Sequence, residues 1–153
     1  MNGGRVGGVA QSSERHVVLA FDFGLRRLGV ATANLATRTA SPLTTLKIHN
    51  EIPWPDIDRV IDEWRPAQLV VGLPEGEGAA ARIAREVRAF VAKLTERYRL
   101  PVATVDETLT SAAAQSELSS ARRSGFLRRR VERDANDRVA ACLIAEQWLS
   151  EQR

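Results

Sequence analysis

Val17-Val18-Leu19-Ala20-Phe21-Asp22-Phe23-Gly24-Leu25-Arg26-Arg27-Leu28-Gly29-Val30-Ala31-Thr32-Ala33-Asn34 holds two apolar runs, Val17 to Phe23 and Leu28 to Asn34, joined by Gly24 to Arg27. Apolar runs of strand length with so short a join read as neighbouring strands in a tight hairpin. Within the first run, a strand that reads as buried meets a carboxylate, Asp22, and then a glycine. Burying a carboxylate without a partner is costly, and gathering several is worse unless a cation neutralises them. Working outward, Glu107 ends a second apolar run that begins at Val102, and Asp137 follows Asp134-Ala135-Asn136 where the last amphipathic helix is expected to open. If Asp22, Glu107 and Asp137 converge, a hard divalent cation is the simplest account, and phosphodiester hydrolysis is the chemistry expected of it.

The rest of the chain supplies a frame for these residues. A third strand, about Leu43 to Ile48, follows Ser41-Pro42, so the chain opens with three strands expected to pair antiparallel. Helical spacing then appears at Ile57, Val60, Ile61 and Trp64, and Pro66 closes that segment. Gln68 to Leu73 reads as a strand, Ala79 to Tyr98 as a helix and Pro101 to Val105 as a strand. A helix is expected from Thr110 into an arginine cluster, and a last one from Asn136 to about Glu151. Strands in a row followed by strand–helix alternation predict an α/β fold, a mixed sheet flanked by helices. Asp22 and Glu107 fall at C-terminal strand ends, where open α/β sheets place their ligands.

At 153 residues, 44% hydrophobic and 27% charged, the chain fits one globular domain. Residues 1–15 have little to bury and read as a disordered arm before a domain spanning 16–151. The single cysteine, Cys142, sits in an apolar helical pattern and reads as a small buried residue. No signal peptide or membrane-length apolar run is visible, so the cytoplasm is the expected compartment and no membrane partner is expected. Net charge is +3, and only Lys47 and Lys93 among the 22 basic residues are lysines. Arginine binds phosphate in a fork, so nucleic acid is a permitted partner, although arginine-rich usage also follows from genome composition. Placement says more: Arg122, Arg123, Arg128, Arg129, Arg130 and Arg133 crowd one stretch, with Glu132 among them.

Each carboxylate also has a plain structural reading. Asp22 before Gly24 suits a turn, Glu107 precedes the N-cap candidate Thr110, and Asn136 or Asp137 could cap the last helix. Gly72-Leu73-Pro74-Glu75-Gly76-Glu77-Gly78 reads as a flexible lip of the site, lacking the Lys-Ser/Thr of a phosphate-binding loop. His16 and His49 form no ligand spacing, and Trp54, Trp64 and Trp148 fall at helical positions suited to core packing.

Phe21-Asp22-Phe23-Gly24-Leu25-Arg26-Arg27-Leu28-Gly29-Val30-Ala31, Ala40-Ser41-Pro42-Leu43, Val70-Val71-Gly72-Leu73-Pro74, Val105-Asp106-Glu107-Thr108-Leu109-Thr110-Ser111 and Asn136-Asp137-Arg138-Val139-Ala140-Ala141 occur in that order. Together they resemble the YqgF (RuvX) family of bacterial nucleases, from Val17 to Leu149. The resemblance implies an RNase H-like fold with catalytic, metal-binding carboxylates at Asp22, Glu107 and Asp137. It also implies a role in maturing the 5′ end of pre-16S ribosomal RNA, with Holliday junction resolution as the alternative. Three departures stand out: Thr108 where the family usually has arginine, no Asn-x-Asp-Gly stretch after Pro74, and the N-terminal arm.

The expectation is therefore a metal-dependent endonuclease using Mg²⁺ or Mn²⁺, with Asp22 bridging two ions and Glu107 and Asp137 completing the site. Arg26, Arg27, Arg122, Arg123, Arg128, Arg129 and Arg130 are the expected phosphate-binding residues. RNA is the favoured partner and branched DNA the second, for a monomer or weak dimer. A non-catalytic RNA-binding factor in ribosome biogenesis is the alternative of another class, and three intact carboxylates speak against it. An actin-like ATPase would need two lobes around its nucleotide, and this chain has length for one.

Overall fold

The computed structural model describes residues 16–106 and 129–152. Five strands, β1 (Val17–Phe23), β2 (Arg27–Asn34), β3 (Thr39–Lys47), β4 (Gln68–Leu73) and β5 (Val102–Asp106), make one sheet in the order β3-β2-β1-β4-β5. The first three strands pair antiparallel, while β4 and β5 run parallel to β1. Helices α1 (Trp54–Trp64), α2 (Ala79–Tyr98) and α3 (Arg129–Glu151) flank it. This is the mixed sheet expected from the sequence. The arm at 1–15 and the helix expected from Thr110 lie outside the described residues.

Two boundaries differ from expectation by more than a residue, for local reasons. β3 starts at Thr39 and runs through Pro42, because β3 is an edge strand where a missing N–H is tolerated. Ala31 pairs with Pro42 and Val30 with Thr44, so Leu43 is the extra residue of a bulge. The last helix begins at Arg129, not Asn136. Arginine is a good helix former, and no Gly or Pro interrupts 129–151, so the helix continues upstream through the basic stretch. Asp137 thus lies inside α3 and does not open or cap it.

Strand alternation sends Val18, Ala20, Ala31, Ala33 and Val70 to one face, where Ala141, Ile144, Ala145, Trp148 and Leu149 of α3 cover them. Leu19, Phe21, Phe23, Leu28, Val30, Leu69 and Val71 face the other way, against Ile57 of α1 and Val87, Phe90 and Leu94 of α2. Small residues on both sides of the α3 interface let that helix sit close to the sheet. On the opposite face, Phe90 meets Phe21 edge-on at 5.9 Å between ring centroids and Trp54 at 5.9 Å. Trp148 is buried, and Trp54 and Trp64 are half-buried against this core, as expected of packing residues.

α1 is tied to α2 by Asp58, which accepts hydrogen bonds from Arg97 Nε at 2.9 Å, Arg97 Nη2 at 2.7 Å and Tyr98 Oη at 2.6 Å. These donors, Arg97 first, pull the Asp58 carboxyl down to about 2. The Arg97 guanidinium also lies over the Trp54 ring, 5.1 Å from its centroid.

Candidate active site

Asp22 and Asp137 are brought to one place by the register of β1 and β2 and by the depth at which α3 docks. Asp22 lies on the same sheet face as Val18 and Ala20, the face that α3 covers, and is partly buried. Its antiparallel partner is Gly29, which in turn pairs with Thr45 of β3. A side chain on Gly29 would overlap the Asp137 carbonyl oxygen, with the carbonyl carbon at 2.5 Å and Cα at 3.2 Å. The α3 backbone at Asp137 therefore rests directly on β2 beside Asp22, and glycine is what permits it. Gly72 of β4, on the α3 face by alternation with Val70, likewise places no side chain there.

Arg27, at the start of β2, donates from Nε to Asp137 Oδ2 at 2.6 Å. The hairpin that delivers Arg27 is closed by the Gly24 N–H donating to the Arg27 carbonyl at 2.9 Å, and Arg26 is left exposed at its tip. Of the two hairpin arginines among the seven expected to hold phosphate, Arg27 is thus engaged by a carboxylate and Arg26 faces solvent.

At its other end α3 is held by Arg38, in the turn between β2 and β3. The Arg38 guanidinium donates to the Gln152 carbonyl at 2.6 and 3.2 Å and to that of Leu149 at 3.5 Å. Positive charge at a helix C-terminus complements its dipole and its orphan carbonyls. Arg38 itself adopts a left-handed backbone, φ 57°. Gly29 and Arg38 together set where α3 lies along β2. Neither role is apparent from the sequence, although a glycine inside a strand pattern is a signal of close backbone approach.

Among the described residues, no group of three or more His, Cys, Asp or Glu side chains is close enough to hold a metal. Asp22 and Asp137 supply two carboxylates. The third expected ligand, Glu107, lies outside the described residues, as do Arg122, Arg123 and Arg128; Arg129 and Arg130 form the first turn of α3. The donor set suits a hard divalent cation, which prefers carboxylate oxygens. In the structure one of the two carboxylates, Asp137, is paired with the Arg27 guanidinium. Asn136 adds a buried amide nitrogen with no hydrogen-bond partner among the described residues, next in sequence to Asp137. Asp106 is exposed, and His49 is exposed at an isolated bridge with Glu51. Burial, followed by the nearby Glu146, pushes the Cys142 thiol up to about 11, which keeps it protonated and inert.

The model of the RuvX family, described as Holliday junction resolvase, matches residues 16–151. The chain belongs to the RuvX family. A RuvX relative from Haemophilus ducreyi, named "Putative pre-16S rRNA nuclease", is 41% identical over 133 residues, 86% of this chain and 94% of its own. One from Xylella fastidiosa with the same name is 41% identical over 137 residues, 88% of each chain. Among solved structures, T. thermophilus RuvC in complex with a Holliday junction substrate aligns with a TM-score of 0.53 at 15% identity. That alignment covers 88% of this chain and 94% of RuvC, and it shows the RNase H-like fold.

Proposed function

We propose that this RuvX protein is a metal-dependent endonuclease that hydrolyses phosphodiester bonds in the 5′ maturation of pre-16S ribosomal RNA. One observation supports the reading: the Asp137 backbone rests against Gly29, the cross-strand partner of Asp22, so two acidic residues 115 positions apart in the chain meet on one sheet face. Acidic residues gathered in this way suit a divalent cation. Asp22 and Asp137, with Glu107 directly after β5, are the residues that would hold Mg²⁺ or Mn²⁺. Bound there, the cation would lower the pKa of the attacking water and stabilise charge on the leaving oxygen. The chain's own part is to orient the carboxylates, through the Gly29 contact and the Arg27 ion pair, and to hold the strand being cut. Arg26 at the hairpin tip and the arginines from Arg122 to Arg130 contribute phosphate contacts, which give affinity and little sequence information.

The names of the relatives favour RNA. The family description favours a second reading with the same chemistry, cleavage of a four-way DNA junction, which needs two such sites held by a two-fold interface. The deciding experiment offers precursor 16S RNA and a four-way junction side by side, with and without Mg²⁺ or Mn²⁺. Cation-dependent cuts in the RNA are expected; paired symmetric cuts in the junction with the RNA spared would reverse the order. No cation-dependent cleavage of either substrate would leave a non-catalytic RNA-binding role.

A further inference from the structure

Arg27 and Asp137 form an ion pair between side chains 31% and 22% exposed, through a 2.6 Å bond from Nε. Both belong to the α3 face, and the pair is shielded enough for its attraction to exceed that of an open surface pair. A guanidinium does not lose its proton, so this positive charge is permanent. It lies on a carboxylate that the proposed function assigns to a divalent cation. Two cations cannot share one carboxylate without mutual repulsion, and a short charge-assisted bond engages an oxygen that the cation would need.

We propose that Arg27 is the resident counter-ion of the centre: it holds and orients Asp137 in the cation-free protein and yields that carboxylate when a divalent cation binds. The inference rests on the reading of Asp22 and Asp137 as cation ligands. It gives Arg27 a positioning role exerted through Asp137, in place of a simple phosphate contact. Before loading, the guanidinium offsets the repulsion among gathered carboxylates that would otherwise loosen the α3 contact at Gly29. After loading, a fork of five N–H donors is released where the substrate phosphate would come to lie. Because such coupling is reciprocal, whatever removes Arg27 from Asp137 must strengthen cation binding.

The test is a Mn²⁺ titration of the full chain without nucleic acid, read by the electron paramagnetic resonance of the free ion. Arg27→Gln is expected to bind Mn²⁺ at least about fivefold more tightly than wild type, the lower end of ordinary coupling between sites. It should also melt lower than wild type in metal-free buffer and recover more on adding Mn²⁺. Arg27→Lys keeps the charge and should stay near wild type. Arg27→Met, which keeps the aliphatic stem, serves if circular dichroism shows Arg27→Gln unfolded. Equal or weaker Mn²⁺ binding by either folded neutral variant overturns the counter-ion role. Asp22→Asn separates the ligand assignment from the counter-ion role. If it binds Mn²⁺ as wild type does, the ligand assignment fails and takes this inference with it. If it loses Mn²⁺ while Arg27→Gln matches wild type, the inference alone fails.

Discussion

Replacing Asp22 with asparagine keeps the side chain's size and removes its charge, so no cavity opens in the α3 face. Asp22→Asn should lower the cleavage rate by about a thousandfold or more, the several kcal/mol that a bound cation contributes to charge stabilisation. Its melting temperature in metal-free buffer should match or exceed that of wild type, because charge repulsion is relieved. Rates within a few-fold of each other, at matched folding, would remove Asp22 from the chemistry. Gly29 is a test of a different kind, since its contribution is the absence of a side chain. Gly29→Ala forces the Asp137 backbone off β2 and should cost about 1–3 kcal/mol, the usual range for overpacking. Ile144→Val, a change of about 0.5–1.5 kcal/mol in the same interface, is its control. Gly29→Ala should lose activity beyond its loss of stability, whereas Ile144→Val should lose stability alone. Equal activity per folded molecule in the two variants would mean that the depth of α3 does not matter.

Among the elements, α3 and the α1–α2 pair make separate predictions. Arg38→Ala removes the cap on the far end of α3 and should lower stability by about 0.5–1 kcal/mol, in keeping with charge at a helix terminus. Urea unfolding of the variant measures this, and an unchanged midpoint would make the Arg38 contacts incidental. On the other face, Asp58 has its carboxyl depressed from 3.8 to about 2 by Arg97 and Tyr98. A depressed acid stabilises the fold above its unfolded pKa and loses that contribution as pH falls through the folded value. The melting temperatures of wild type and Asp58→Asn should therefore differ by a constant amount from pH 5 to 8 and converge between about pH 4 and 2. Nearly half of the Asp58 side chain is exposed, so the difference should be small. Parallel curves down to pH 2 would contradict it. The strand–helix elements themselves are legible because periodicity is local: β1 and β4 run over the residues their apolar runs predict. The start of α3 is harder to read, because the arginines from Arg128 to Arg133 look like a binding cluster and their helix propensity carries no apolar stripe.

For the whole molecule, the proposed function requires that the chain bind a polyanion. Changing Arg128, Arg129 and Arg130 together to alanine should weaken binding to every RNA sequence tested. The slope of log affinity against log salt should flatten by about 0.7 for each single-strand phosphate that the protein no longer neutralises. An unchanged slope would return these arginines to the solvated surface. Equilibrium sedimentation at micromolar concentration should find the chain monomeric or weakly dimeric, and a stable dimer would favour the junction reading.

The hairpin from Val17 to Asn34, the mixed sheet, and the candidacy of Asp22 and Asp137 were all determined by the sequence alone. These depend on alternation, turn chemistry and a carboxylate at a strand end, each visible within a few residues. That Gly29 carries the α3 backbone, that Arg27 spends its charge on Asp137, and that Arg38 closes the far end of the helix were decided only by the tertiary structure. The Arg27 bond joins residues 110 positions apart. No local pattern encodes such a pairing; it follows from how deeply a helix lined with Ala141 and Ala145 settles onto strands lined with Ala20, Ala31 and Ala33, a property of packing and not of propensity.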